Sequence, residues 1–265
     1  MNLKHLPTIL FLNIPVTLVI TFNLAFYYKH VTYMVPYISD SGALPPESCI
    51  FGQSLNILAF LTAFAMYIRY RYVKEMCEGH CIYLKNRRMN LASLYTGLGA
   101  AIGVSVVANF QEAFVLFVHV IGAYAAFGLG SVYQCLQTIL YYRMSRVVEN
   151  KYSNIVRIFL SVVSVISFSI CAVFATIAFG MYDGNTVQNW KEEDNGYNFH
   201  IISTIAEWIC AGCTIFFLFL FKSEFENIDV MEPEIFIRDA FVITINNEES
   251  ASRVIAGPDT DNGKY

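Results

Sequence analysis

The sequence predicts an all-α, polytopic membrane protein, a bundle of six transmembrane helices. Three observations carry this reading. The chain of 265 residues is 56% hydrophobic and 14% charged, whereas an ordinary soluble domain is about 45–50% apolar and about 25% charged. The apolar residues come in blocks of roughly 20, the length a helix needs to cross about 30 Å of hydrocarbon. The charges fall between the blocks, and Lys and Arg are shared very unequally between alternate connections, which fixes an orientation.

Taken in order, the blocks place spans at about 7–28, 50–68, 90–108, 113–140, 156–181 and 199–221. The first run is too long for the apolar part of a signal peptide, and no small-x-small cleavage site follows it, so it is read as a retained span. Residues 1–222 then form one membrane domain. Residues 223–265 form an acidic cytosolic tail, flexible at least beyond about 245. From residue 222 onward there are ten acidic residues against four basic ones. No internal repeat of the kind found in inverted-repeat transporters is visible.

Orientation follows from the cations. Arg69, Arg71, Lys74, Lys85, Arg87 and Arg88 follow span two, and Arg143, Arg146, Lys151 and Arg157 follow span four. With Lys4 and the four basic residues of the tail, fifteen lie on one side, against Lys29 and Lys191 on the other. Both termini are therefore expected in the cytosol. The net charge of −4 says little beside this distribution.

The loops on the opposite side differ in kind. The first, about 29–49, carries Pro36, Pro45 and Pro46, which restrict its backbone and favour an ordered cap. The second is a tight turn at Asn109–Glu112, and the third is polar and acidic. Only Cys49 of the seven cysteines lies in these loops, so no disulfide framework is expected. Cys210-x-x-Cys213 imitates a redox motif but sits in an apolar span. Cys77 and Cys81, in a basic loop near the membrane, are candidates for S-palmitoylation. No Asn-x-Ser/Thr sequon is present.

Ionisable residues within a bilayer are costly and invite a functional explanation. They cluster towards the lumenal side. His119 lies about six residues into span four, and Glu207 about eight into span six, which puts both about 9–12 Å deep. Their matched depth predicts a pair inside the bundle. His200, Ser203, Thr204 and Glu207 share one helical face. Gln53 and Asn56 lie in the lumenal third of span two, Asn109 and Glu112 in the second loop, Asp40 and Glu47 in the first.

Three readings fit this set: hydrogen bonds that hold the bundle, a pocket for a lipid headgroup or small ligand, or a catalytic centre. The set Asp40, Glu47, Gln53, Asn56, Asn109, Glu112, His119, His200 and Glu207 is taken as a candidate ligand-binding pocket. No metal-ligand spacing, nucleophile elbow or phosphate-binding glycine loop accompanies it, so no catalytic residue, metal or cofactor is assigned. Small residues in spans three and four (Gly97, Gly99, Ala101, Gly103, Ser105; Gly122, Ala126, Gly130) predict close helix packing within one subunit.

Several stretches carry a resemblance. The first loop reads Pro36-Tyr37-Ile38-Ser39-Asp40-Ser41-Gly42, then Pro45-Pro46-Glu47-Ser48-Cys49-Ile50-Phe51-Gly52. Further on come Val107-Ala108-Asn109-Phe110-Gln111-Glu112, His119-x-x-Gly122-Ala123, and Glu207-Trp208 after His200. Over roughly residues 7–225 this resembles the damage-regulated autophagy modulator (DRAM) family. The resemblance implies a six-span protein of lysosomal or related membranes that promotes autophagy and, in some members, cell death, with membrane lipids and autophagy proteins as partners and no role for nucleic acid. It supplies no catalytic residues. The leading expectation is therefore a non-enzymatic regulator. Two alternatives stand beside it: a plasma-membrane scaffold for a phosphoinositide kinase, as in related proteins, and a lipid-modifying enzyme built on His119, His200 and Glu207.

Overall fold

Helix α1 (Leu6–Tyr27) starts with Pro7 in its first turn, where a missing N–H costs nothing, and carries Pro15 within the span. Helix α2 (Glu47–Glu78) and α3 (Tyr83–Asn109) form an antiparallel pair. Helix α4 (Glu112–Tyr124) opens with an acidic residue at its positive dipole end, runs into a π-helical turn at Ala125–Leu129, and continues as α5 (Gly130–Met144). Helix α6 (Lys151–Met181) is followed by α7 (Tyr197–Phe219), whose N-cap Gly196 has φ 88°, a left-handed conformation natural to glycine. A single turn, α8 (Lys222–Phe225), ends the bundle.

The computed structural model describes residues 3–31, 36–78, 83–144, 151–184 and 190–230. The protein is thus an all-α, integral multi-pass membrane protein: six helical segments are long and apolar enough to span, namely Leu6–Tyr27, Glu47–Cys77, Asn86–Asn109, Glu112–Met144, Tyr152–Met181 and Tyr197–Phe225. Large apolar side chains such as Val19, Phe60, Ile102, Phe117 and Phe159 point outward, as they do where lipid is the solvent. Residues Asn2–Asp229 form one compact unit. The expectation of a flexible tail concerns residues outside the described ones, apart from its first turn.

Packing is set by small residues. Helix α6 lies along α7, α2 along α3, and α1 bridges α2 and α7. A Cβ added at Gly103 would sit 2.4 Å from the Ala126 nitrogen and 2.7 Å from the Gly122 carbonyl. The backbones of α3 and the α4–π segment therefore touch there, as the small-residue spacing predicts.

Five spans run past the hydropathy boundaries at the basic end. Span two continues to Cys77 rather than stopping near 68, and the last span reaches Phe225 rather than 221; spans three and five start at Asn86 and Tyr152 rather than 90 and 156, and span four reaches Met144 rather than 140. For the second and the last, the cause is a buried ionic cluster at that end. Arg69 Nη1 lies 2.9 Å from Glu224 Oε2, and Arg157 Nη2 lies 3.1 Å from Glu224 Oε1. Both arginines are 0% exposed. Arg69 Nε also donates to Gln137 at 2.9 Å, and Gln137 donates to Ser93 at 2.7 Å. Tyr141 faces the Arg157 guanidinium at 4.4 Å, with Phe221 at 5.2 Å. Arg69 and Arg157 are thus bundle residues, not loop charges. Setting them aside from the fifteen leaves thirteen against two, so the bias keeps its sign.

Cys77 is buried against Val73, Leu140 and Met144, so its thiol is not presented at the surface. Cys81 lies outside the described residues.

Candidate functional site

At the end opposite the basic cluster, the first loop folds down over the helices. Its centre is a 3₁₀ turn, Ser39–Gly42, and all four of its residues are buried. A Cβ at Gly42 would lie 2.3 Å from the Phe51 ring, so only glycine lets the turn settle on α2. The Tyr37 N–H donates to Asp40 Oδ2 at 2.7 Å and closes the turn from within.

The loop reaches α7 and α4 through four hydrogen bonds. The Tyr37 hydroxyl bonds Ser203, and the Ile38 N–H donates to Glu207 Oε2 at 2.9 Å. The Ser39 hydroxyl donates to Glu112 Oε2 at 2.6 Å. Trp208 Nε1–H donates to the Pro36 carbonyl at 2.9 Å. Behind these, His30 Nδ1 meets Glu47 Oε1 at 2.5 Å, which ties the end of α1 to the start of α2. The described part of the first loop, from residue 36 onward, is an ordered cap, as its prolines predict.

Beneath the cap lie two adjoining cavities of about 140 and 550 Å³. Ser39, His119, Ala123, Phe127 and Glu207 line both. The larger runs between α4, α6 and α7, with Phe179 and Phe168 on α6 marking positions about 16 Å apart along the axis. Its polar groups gather at the capped end, where Glu112, His119 and Glu207 stand, and its remaining length is mostly apolar. The π-helical turn places Phe127 in the wall of both cavities. Such turns interrupt helices frequently at functional sites.

The geometry sorts the sequence-predicted residues. Glu112, His119 and Glu207 come together around the larger cavity. His119 and Glu207 both face the interior, but they make no hydrogen bond or ion pair with each other. His119 Nδ1 faces the Phe110 carbonyl at 2.7 Å, and its Nε2 lies 3.8 Å from Glu112 Oε2. Helix α4 leaves helical geometry at Val115 (φ −136°, ψ 56°), which bends its first turn back toward His119 and gives the imidazole a carboxylate from its own helix.

Asp40 is 1% exposed and lies against Glu112. Burial, and then the charge of Glu112, hold its carboxyl well above the usual carboxylate range. Burial likewise raises the Tyr37 phenol.

The other residues fall outside the cavities. Glu47 is taken up by His30. Gln53 is exposed on α2. Asn56 and Asn109 exchange hydrogen bonds at 3.1 and 3.0 Å, with Ser105 donating to Asn56 at 2.9 Å, so they clamp α2 to α3. Gln53 and Asn56 lie in the expected third of span two, but neither lines a cavity. His200 stacks on Trp190 at 4.5 Å and meets the edge of Tyr37 at 4.9 Å; it joins the third loop to the cap. Ser39 is the site residue that sequence reasoning passed over, because nothing marks one loop serine as the donor to a carboxylate 73 positions away.

With this geometry in view, comparison with known proteins is informative. Residues 2–228 match the Frag1/DRAM/Sfk1/Cwh43P N-terminal domain. The chain belongs to the Frag1/DRAM/Sfk1/Cwh43P family. Among its relatives is DNA damage-regulated autophagy modulator protein 2 of Mus musculus, 34% identical over 94% of this chain and 95% of that protein. DNA damage-regulated autophagy modulator protein 1 of Homo sapiens is 36% identical, over 79% and 85% respectively. Modulator of macroautophagy TMEM150B-B of Xenopus laevis is 32% identical, over 73% and 72%. No solved structure is similar to it. The capped cavity described above lies wholly within the residues matched to the Frag1/DRAM/Sfk1/Cwh43P domain.

Proposed function

We propose that this protein modulates autophagy from a lysosomal or related membrane, without catalysis, by holding a membrane lipid in the capped cavity. The names of its relatives support the process. The cavity carries the molecular part of the reading. It is an apolar slot of about 550 Å³ with its polar groups at one end, within the range of about 300–1,000 Å³ typical of ligand sites. A non-catalytic role is supported by how the chemistry-bearing groups are employed. Glu112, Glu207 and His119 are held by Ser39, the Ile38 N–H and the Phe110 carbonyl, and each contact secures the cap or a neighbouring turn. The orientation that goes with this reading puts the cap in the lumen and both termini in the cytosol, supported by the excess of Lys and Arg at the opposite end.

Two measurements test it. In protease-protection assays, a tag after residue 265 or in the 77–81 segment is expected to be digested from the cytosol, and one near 190 to be protected in intact organelles. Protection of 190 and 265 on the same side overturns the orientation. In cells lacking the protein, autophagic flux is expected to fall and to be restored by the wild type but not by Ala123→Phe with Ala175→Phe, which fills the larger cavity. Full restoration by that variant, expressed at wild-type level in the same membrane, overturns the cavity as the working part.

A further inference from the structure

Two carboxyl side chains and one imidazole line the larger cavity. Glu112, Glu207 and His119 border it, and among the described residues no Lys or Arg lines either cavity. Asp40 lies directly behind and interacts with both carboxylates. Glu112 is 6% exposed, and its Oε1 and Asp40 Oδ1 have no donor beyond a proton that the two carboxyls can share. A buried carboxylate oxygen without a donor is strongly disfavoured. With Nδ1 engaged at the Phe110 carbonyl, the free ring nitrogen of His119 is Nε2, which in a neutral imidazole of that tautomer accepts. The polar end of the slot is therefore short of donors and of positive charge.

We propose that the larger cavity binds a long-chain aliphatic amine, with its ammonium head among Glu112, Glu207 and His119 and its chain in the apolar slot between α4, α6 and α7. This rests on the reading of the cavity as a lipid site and names the class of lipid. An ammonium brings three donors and one positive charge to a place that lacks both. A phosphate or carboxylate head would be buried beside two carboxylates with no cation to offset it. A hydroxyl head supplies one donor among several acceptors and no charge. The described residues hold no cluster of three ligating side chains that would let a metal ion serve instead.

The test uses purified full-length protein in detergent, with empty micelles as the blank and three radiolabelled probes that share one chain: octadecylamine, octadecanol and octadecanoate. The amine is expected to bind at least about tenfold more tightly than the alcohol, a difference of about 1.4 kcal/mol, and octadecanoate not to bind. Glu112→Gln with Glu207→Gln is expected to lower affinity for the amine about tenfold while leaving the alcohol unchanged. Because these carboxylates also hold the cap, the ranking of the three heads on the wild type decides by itself. Equal affinity for amine and alcohol, or tighter binding of octadecanoate, overturns the amine assignment and leaves the lipid cavity standing. Binding of none of the three overturns both.

Discussion

Glu224→Gln is expected to be the most damaging conservative substitution in the protein. The variant keeps the shape of the side chain and removes the single carboxylate that faces two fully buried guanidinium groups. Removing one partner of a buried ion pair costs about 3–5 kcal/mol, because the charge left behind is uncompensated, and among the described residues Glu224 is the carboxylate that pairs with Arg69 and Arg157. Net stabilities of folded proteins are about 5–15 kcal/mol, so the loss should show as a large fall in thermal stability in detergent and in poor recovery as a monodisperse species. The triple replacement Arg69→Met, Arg157→Met and Glu224→Leu should recover most of the loss, since well-packed apolar groups often replace a buried ion cluster at no net cost. A Glu224→Gln protein as stable as the wild type would show that the cluster contributes nothing.

The cap is expected to tighten as the pH falls. Asp40 has its carboxyl raised in the folded cap, first by burial and then by Glu112. A carboxyl with a raised folded pKa contributes stability that is complete below its ordinary value, about 3.9, and is lost as pH rises through its folded value. The protonated form also supplies the donor that the facing Glu112 oxygen lacks. Exchange of the amides of residues 37–43, corrected for intrinsic rates, should therefore slow as the pH is lowered across the range in which this carboxyl takes up its proton. In Asp40→Asn the side-chain amide stands in for the proton while its oxygen still accepts from the Tyr37 N–H, so exchange should be slow and flat across the range. A cap that loosens in acid would contradict the sign of this coupling.

The six spans were legible because hydropathy is local: each apolar block declares itself without reference to any other. The places where sequence reasoning stopped short are those where a charge is cancelled by a distant partner. Arg69 ended the apolar run and so ended the predicted span, yet its partner Glu224 lies 155 positions further along. Nothing local distinguishes such an arginine from Arg71, which is exposed and pairs with Glu75 one turn away. The site divides in the same way. Glu112, His119 and Glu207 could be grouped by depth, because helical rise converts position into height. Rotation about the axis is set by packing, and it turned Gln53 outward, gave His119 to Glu112, and sent Asn56 to Asn109.

The last membrane helix bears on how the chain is made. The cap contacts it across 166 to 172 positions of sequence, through Tyr37 with Ser203, Ile38 with Glu207 and Pro36 with Trp208. The ionic cluster at the other end waits for Glu224, which is later still. At about 5–20 residues per second, the ribosome takes about 10–30 s to travel from the first loop to its partners. Throughout that interval the nascent protein carries an open cap, and Arg69 and then Arg157 are uncompensated from the time each is made. Both are closed by the same final insertion, so a product cut short before that helix is unfinished at both of its ends, which gives quality control two separate marks by which to tell it from a complete molecule.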